Sequence, residues 1–308
     1  MSDPHTHNPT NVQGILAMLA AVASFAVMDA CIKRLVESYP AIQVTYLRGI
    51  ASLPFLLAAT AIFGRWRDLV PRRWILHLVR GVLAFIVLWL FVFSVKFLSL
   101  GDAYAIFMSA PLLITALSVP MLRERVGWRR WAAVVAGLLG VMIMLKPTGG
   151  GWISVGGLAA LAAAFGYAVN AITIRILKQS DTGAATILWS LLVMTVLSGL
   201  GAIPTWTPLQ WHHAILIVVM GIAGAFGQHF ITFAFRLAAP SVIAPLEYTA
   251  LAWAMVFDYF LWLVVPTTQM LFGATIIVSS GIYVFRRERA VDTELGKEVM
   301  SEHPERER

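Results

Sequence analysis

From Val12 onward the chain alternates long apolar runs with short polar joints. A helix needs about 20 mostly apolar residues to cross the hydrocarbon of a bilayer. Ten runs reach that length or come within a turn of it: Val12–Leu35, Ala41–Phe63, Trp74–Phe97, Asp102–Met121, Trp128–Leu145, Val155–Leu177, Thr186–Ile203, Ala214–Phe235, Val242–Leu263 and Gln269–Phe285. Pro40, Pro71, Pro147, Pro204, Pro208 and Pro266 fall at or near the joints, where helices stop. Short joints force neighbouring spans into an antiparallel bundle. The pattern predicts an all-α polytopic membrane protein with ten transmembrane helices.

The first run occurs twice. Gly14–Ser38 reads GILAMLAAVASFAVMDACIKRLVES, and Gly156–Ser180 reads GGLAALAAAFGYAVNAITIRILKQS; 11 of 25 aligned positions are identical. Shared Ala and Leu could come from composition alone. Lys33/Arg175, Leu35/Leu177 and Ser38/Ser180 in the same register are harder to dismiss. The copies open spans one and six. Five spans separate them, so the two halves enter the membrane from opposite sides. An inverted repeat of five helices each is the architecture of secondary transporters, with the substrate site near the midplane between halves. The expected division is an N-terminal segment 1–11, a first repeat 12–146, a linker 147–154, a second repeat 155–286 and a disordered tail 287–308.

Composition sharpens the class. The chain is 59% hydrophobic and only 13% charged, with mean hydropathy +0.79, whereas soluble domains carry about 25% charge. The single cysteine, Cys31, rules out an internal disulfide framework. The polar start Met1–Asn11 has no basic n-region, so the first run reads as a span and not a leader. A net charge of +7 would fit nucleic acid, but the basic residues sit in short joints beside apolar runs, where they set orientation. With the N-terminus inside, the cytoplasmic joints hold Arg65, Arg67, Arg72, Arg73, Arg123, Arg125, Arg129, Arg130, Arg175, Lys178, Arg236, Arg286, Arg287 and Arg289. The outer side holds Lys33, Arg34, Lys96 and Lys146. Both termini are therefore expected in the cytoplasm of a bacterial-type inner membrane.

Charges inside spans are costly, at least about 2.5–3.5 kcal/mol each at the bilayer centre, and those that persist face a cavity or a partner. Asp29, Arg48, Arg80 and Glu247 are the deepest. Asp29 and Arg48 each lie about seven residues from the outer side, hence about 10 Å deep, and should meet there, with Lys33 competing for Asp29. Arg80 and Glu247 lie level with each other near the inner side and could close an inner gate across the halves. Trp89, Met108, Asn170, Gln228, His229 and Tyr248 complete the expected substrate cavity or gate. Pro111 and Pro245 each free a backbone carbonyl at related positions, Ala110-Pro111 and Ala244-Pro245. Gly221, Gly224 and Gly227 offer a smooth face for close helix packing.

Arg80-Gly81, Leu98-Ser99-Leu100-Gly101-Asp102-Ala103, Ala110-Pro111-Leu112, Leu122-Arg123-Glu124-Arg125-Val126-Gly127-Trp128 and Gly137-Leu138-Leu139-Gly140 resemble a first EamA repeat. Ala244-Pro245-Leu246-Glu247-Tyr248 through Trp253 resembles the second. The resemblance spans all but the two tails and implies a drug/metabolite transporter of ten spans, similar to bacterial amino acid exporters. One departure stands out: Asp258 is followed by an apolar run to Pro266, where the usual pattern has Gly-Glu and a short polar loop.

The expectation is therefore a carrier that works by alternating access, exporting amino acids, aromatic or apolar ones included, and related small metabolites. Nucleotides as cargo, or a channel-like facilitator, are the alternatives. The partners are a small-molecule substrate and the lipid bilayer. Protons are the candidate coupling ion, through Asp29, Glu247 or His229. No cofactor, metal or nucleic acid is implied, and one chain with both repeats suffices as the working unit. There is no Walker A sequence for ATP, and His212-His213 has no Cys or carboxylate beside it to build an enzyme's metal or nucleophile site.

Overall fold

The structure, a computed structural model, describes residues 9–63, 69–122, 126–145, 154–177, 182–237 and 243–302. Most of the expected 1–11 segment and 147–154 linker, the last residues of the tail, and Arg65, Arg67, Arg123, Glu124, Arg125, Lys146 and Lys178 lie outside them. The described residues form helices and no strand: α1 Pro9–Val36, α2 Ala41–Phe63, α3 Trp74–Phe97, α4 Leu100–Phe107, α5 Ala110–Leu122, α6 Trp128–Leu145, α7 Val155–Leu177, α8 Gly183–Ala202, α9 Ala214–Leu237, α10 Thr249–Trp262 and α11 Thr268–Glu302. Three 3-10 turns, Ile203–Thr205, Trp211–His213 and Ala244–Tyr248, join them. Among the described residues nine stretches are long and apolar enough to span a membrane, with α4 and α5 together making one. The Ala244–Tyr248 turn and α10, over the expected ninth span, are not among the nine. The chain is a multi-pass membrane protein.

The helices alternate in direction, so joints collect at two ends. The Pro40 end carries Pro40, Ser99, Ile203–His213 and Pro266. The Leu69 end carries Leu69–Arg73, Gly127 and Ala244.

Span four is not the single helix expected over Asp102–Met121. It begins at Leu100, breaks after Phe107 and resumes at Ala110. Pro111 explains the break, because it has no N–H to donate and its ring crowds the preceding turn. Ser109 bridges the gap: its hydroxyl donates to the Ile106 carbonyl at 2.7 Å, and its own carbonyl accepts from the Leu112 and Leu113 amides. Ser99 caps α4, accepting from the Asp102 amide at 3.0 Å and donating to its carboxylate at 2.7 Å, a reciprocal cap. Span nine differs in the same way. Pro245 sits in the opening 3-10 turn, and α10 runs only to Trp262. The segment from 287 onward, expected to be disordered, continues α11 in helical backbone to Glu302. The physical reason is local: no proline stands between Pro266 and Pro304, and Glu288, Ala290, Glu294, Leu295 and Lys297 favour helix.

The main pairings cross between halves and obey the repeat. α1 packs on α9, and its copy α7 packs on α3, the counterpart of α9. α2 packs on its own counterpart α8, and α6 on α11. Glycines set these distances. A Cβ at Gly221 would lie 2.5 Å from the Ala51 carbonyl oxygen, one at Gly224 3.1 Å from Met28 Sδ, and one at Gly227 2.7 Å from the Phe25 ring. The glycine face of α9 is thus the seat for α1 and α2.

Candidate functional site

The Pro40 end is clasped from half to half. Lys33 Nζ on α1 meets Asp258 on α10 at 2.9 Å, with both residues buried. The same carboxylate accepts the backbone amides of Leu100 at 3.0 Å and Gly101 at 2.7 Å. Asp258 therefore neutralises a lysine and caps the exposed amides of the α4 N-terminus together. Lys33 also lies over the Trp262 ring, 4.6 Å from its centroid. The Trp262 indole N–H donates to Glu37 at 2.6 Å. Tyr39 pairs with His213 Nδ1 at 2.9 Å and accepts the Gln210 amide at 2.9 Å. Gln43 exchanges two hydrogen bonds with the Thr207 backbone. The departure noted at Asp258 is thus where the two halves are tied, and Lys33 serves Asp258, not Asp29.

Deeper in, Asp29 accepts a hydrogen bond from the Tyr104 hydroxyl of α4. Arg48 stands within electrostatic reach of Asp29 and Tyr104, but it forms no ion pair, and its Nε has no hydrogen-bond partner. The expected Asp29–Arg48 contact is not formed; the Tyr104 hydroxyl is the group bonded to Asp29, and Arg48 interacts with Asp29 only at electrostatic range. From Tyr104 an aromatic wall leads toward the Leu69 end. Tyr104 meets Phe91 edge-on at 5.6 Å, Phe91 meets Phe107 at 5.4 Å, and Phe107 meets Tyr167 at 5.4 Å. Tyr167 lies within electrostatic reach of the half-buried Glu247. It is 41% exposed, yet it projects from the side of α7 that carries the buried Ala160 and Ala163. That side faces the bundle, so the exposure looks onto interior space.

Arg80 and Glu247 form no ion pair here. Arg80 is 8% exposed, and its Nε and Nη1 have no hydrogen-bond partner. Asn170 Oδ1 on α7 is likewise enclosed without one. Met108 lies at the α4–α5 break, half-buried against two core clusters. Tyr248 ends the 3-10 turn with its hydroxyl over Gly281. Gln228 is half-buried at the border between the two faces of α9. Two expected cavity residues face outward instead. Trp89 stacks on Phe85 at 6.3 Å and shares the exposed face of α3 with Val79 and Ile86, opposite Arg80 and Phe91. His229 stacks on Phe233 at 6.4 Å, on the exposed face of α9 with Val218 and Phe226. Tyr104 and Asp258 were the residues that depth counting missed as partners. Asp258 lies as near the end of its span as Lys33 does to the end of α1, a signal that was available in the sequence.

Paired apolar helices surround an interior line of polar and aromatic groups and are tied together at the Pro40 end. Residues 12–146 match the EamA-like transporter family, and relatives that align over nine-tenths of the chain are named as membrane transporters. The chain is 28% identical to a riboflavin transporter of Vibrio cholerae, over 92% of this chain and 95% of that one. It is 25% identical to an S-adenosylmethionine uptake transporter of Rickettsia prowazekii, over 91% and 95%. It is 24% identical to a pseudopaline exporter of Pseudomonas aeruginosa, over 90% and 97%. A crystal structure sharing 19% identity superposes with TM-score 0.60, covering 92% of this chain and 99% of that one, which fixes the fold alone.

Proposed function

We propose that the chain is a secondary carrier moving a small amphipathic metabolite across a bacterial plasma membrane by alternating access. The observation that carries this reading is the closure of the bundle at the Pro40 end over an interior line of polar and aromatic groups. Hydrogen bonds and a buried ion pair tie half to half at the Pro40 end. At the Leu69 end Trp189 Nε1 donates to the Leu69 carbonyl at 2.9 Å. The excess of arginine at the Leu69 end supports a cytoplasmic assignment for it and for both termini. The clasped Pro40 end is then the outer one.

The aromatic wall between Asp29 and Glu247 suits a solute with a planar or apolar body and a polar head. Amino acids with apolar side chains fit that description, and so do the cargoes for which the relatives are named. Those relatives include an uptake carrier and an exporter, so the fold serves both directions. With no Walker A sequence, movement follows the solute's own gradient or a coupled ion. Asp29 and Glu247 remain the candidates for carrying a proton, and His229 drops out because it faces outward.

Counterflow in proteoliposomes tests the reading, with tryptophan, phenylalanine, riboflavin and S-adenosylmethionine as probes. A carrier accelerates entry of labelled solute when unlabelled solute waits inside, whereas a pore shows no such acceleration. Orientation is read by single cysteines in a Cys31→Ala background. Trp211→Cys should react with an impermeant thiol reagent from outside, and Trp128→Cys only after the membrane is opened. These residues are 90% and 74% exposed.

A further inference from the structure

Arg80 holds a positive charge inside the bundle with nothing described to neutralise it. It is 8% exposed. Its Nε and Nη1 have no hydrogen-bond partner, and neither ion pair among the described residues includes it. A lysine, histidine or carboxylate in this position could shed its charge by gaining or losing a proton. An arginine cannot, because guanidinium stays protonated in proteins. An enclosed guanidinium therefore needs an oxyanion from elsewhere, and its planar fork matches carboxylate or phosphate through two parallel hydrogen bonds.

The neighbourhood supplies the other half of a binding site. α3 and α7 run antiparallel: Gly156 packs against Phe97 and Gly166 against Val87. Continuing that register sets Asn170 opposite Leu83, three residues from Arg80, or about 5 Å along the helix axis. Asn170 Oδ1 is also enclosed without a partner. One turn further along the same side of α7 stands Tyr167, exposed to interior space and edge-on to Phe107. A donor fork, a lone acceptor and an aromatic edge thus line one stretch of the α3–α7 groove, with the polar groups unsatisfied. Buried polar groups are rarely left so, since each costs about 1–3 kcal/mol.

We infer that Arg80 is the anchor for an anionic head group of the transported solute, a carboxylate or a phosphate. Asn170 accepts a hydrogen bond from a donor on that solute, and Tyr167 with Phe107 holds its planar or apolar body. The proposal rests on the carrier reading and deepens it.

The test uses purified full-length protein in phosphatidylcholine nanodiscs, which contain no anionic lipid, and reads binding without transport. Two matched pairs serve as probes: phenylalanine against phenylalaninamide, and riboflavin 5′-phosphate against riboflavin. Affinity comes from quenching of intrinsic tryptophan fluorescence. The expected result is at least a tenfold preference for the anionic member of one pair, which names the head group. That preference should vanish in Arg80→Gln and survive in part in Arg80→Lys, with both variants melting cooperatively as folding controls. Equal binding within both pairs by the native protein overturns the proposal, and so does a preference retained in Arg80→Gln. A native preference recovered by the exchange Arg80→Glu with Glu247→Arg also overturns it, because that result makes the two residues a gate pair. Counterflow is measured separately. A probe that binds as expected but shows no counterflow counts against the carrier reading and not against the anchor.

Discussion

The two ends of the bundle differ in how they satisfy their polar groups. At the Pro40 end each buried polar side chain of the clasp finds a partner in the opposite half: Lys33 with Asp258, Tyr39 with His213, Gln43 with Thr207. Toward the Leu69 end Arg80 Nε and Nη1 and Asn170 Oδ1 are enclosed and unsatisfied, and Glu247 is in neither ion pair among the described residues. Polar groups of the same kinds occur at both ends, so composition does not set the difference. The difference shows that the clasp closes the bundle with polar pairs, while the described interior beyond it keeps polar groups without a partner.

The largest test of that contrast is Asp258→Ala. It leaves Lys33 and two helix amides without their carboxylate, and breaking a buried pair from one side costs about 3–5 kcal/mol. The balance should move toward opening at the Pro40 end. Thermal unfolding in detergent should show the loss, and a cysteine placed at Gly101 should gain reactivity from outside. If the melting temperature and that reactivity stay unchanged, the clasp is incidental. Next comes Tyr39→Phe, which strands the Gln210 amide and the His213 nitrogen for about 1–3 kcal/mol. Its effect should run in the same direction as that of Asp258→Ala, only smaller. Trp189→Phe, at the other end, removes one hydrogen bond worth about 0.5–1.5 kcal/mol. It should leave outside reactivity at Gly101→Cys as it is; a rise there would erase the distinction between the ends. The smallest effect is expected from Leu263→Gly. Leu263 closes α10 in the left-handed region, φ 55, with its amide bonded to Tyr259 and that of Val264 to Asp258. Relieving a left-handed non-glycine residue should raise stability by about 1 kcal/mol with transport unchanged.

The spans, the joints and the paired copies were legible because the bilayer imposes length and prolines mark stops. Axial level was legible too, since counting residues from a span's end places Asp29 level with Arg48, and the two lie within electrostatic reach of each other. The direction in which a side chain points around its helix was not. In a soluble helix the polar face announces itself. Here lipid-facing and core-facing sides are both apolar, so Trp89 and His229 read as central when they face outward. Partners far apart in sequence were also hidden. Nothing local ties Tyr104 to Asp29 or Asp258 to Lys33, and only the folded pairing of the halves brings them together. The breaks at Pro111 and Pro245 were foreseen as freed carbonyls, but not that each would split its span.

One seam is reciprocal. α6 and α11 are counterparts of each other, and they touch glycine to glycine. A Cβ at Gly140 would stand 3.0 Å from the Gly273 carbonyl oxygen, and one at Gly273 3.0 Å from that of Gly140. A face that meets its own copy reciprocally is self-complementary, the property that lets identical subunits form two-fold dimers.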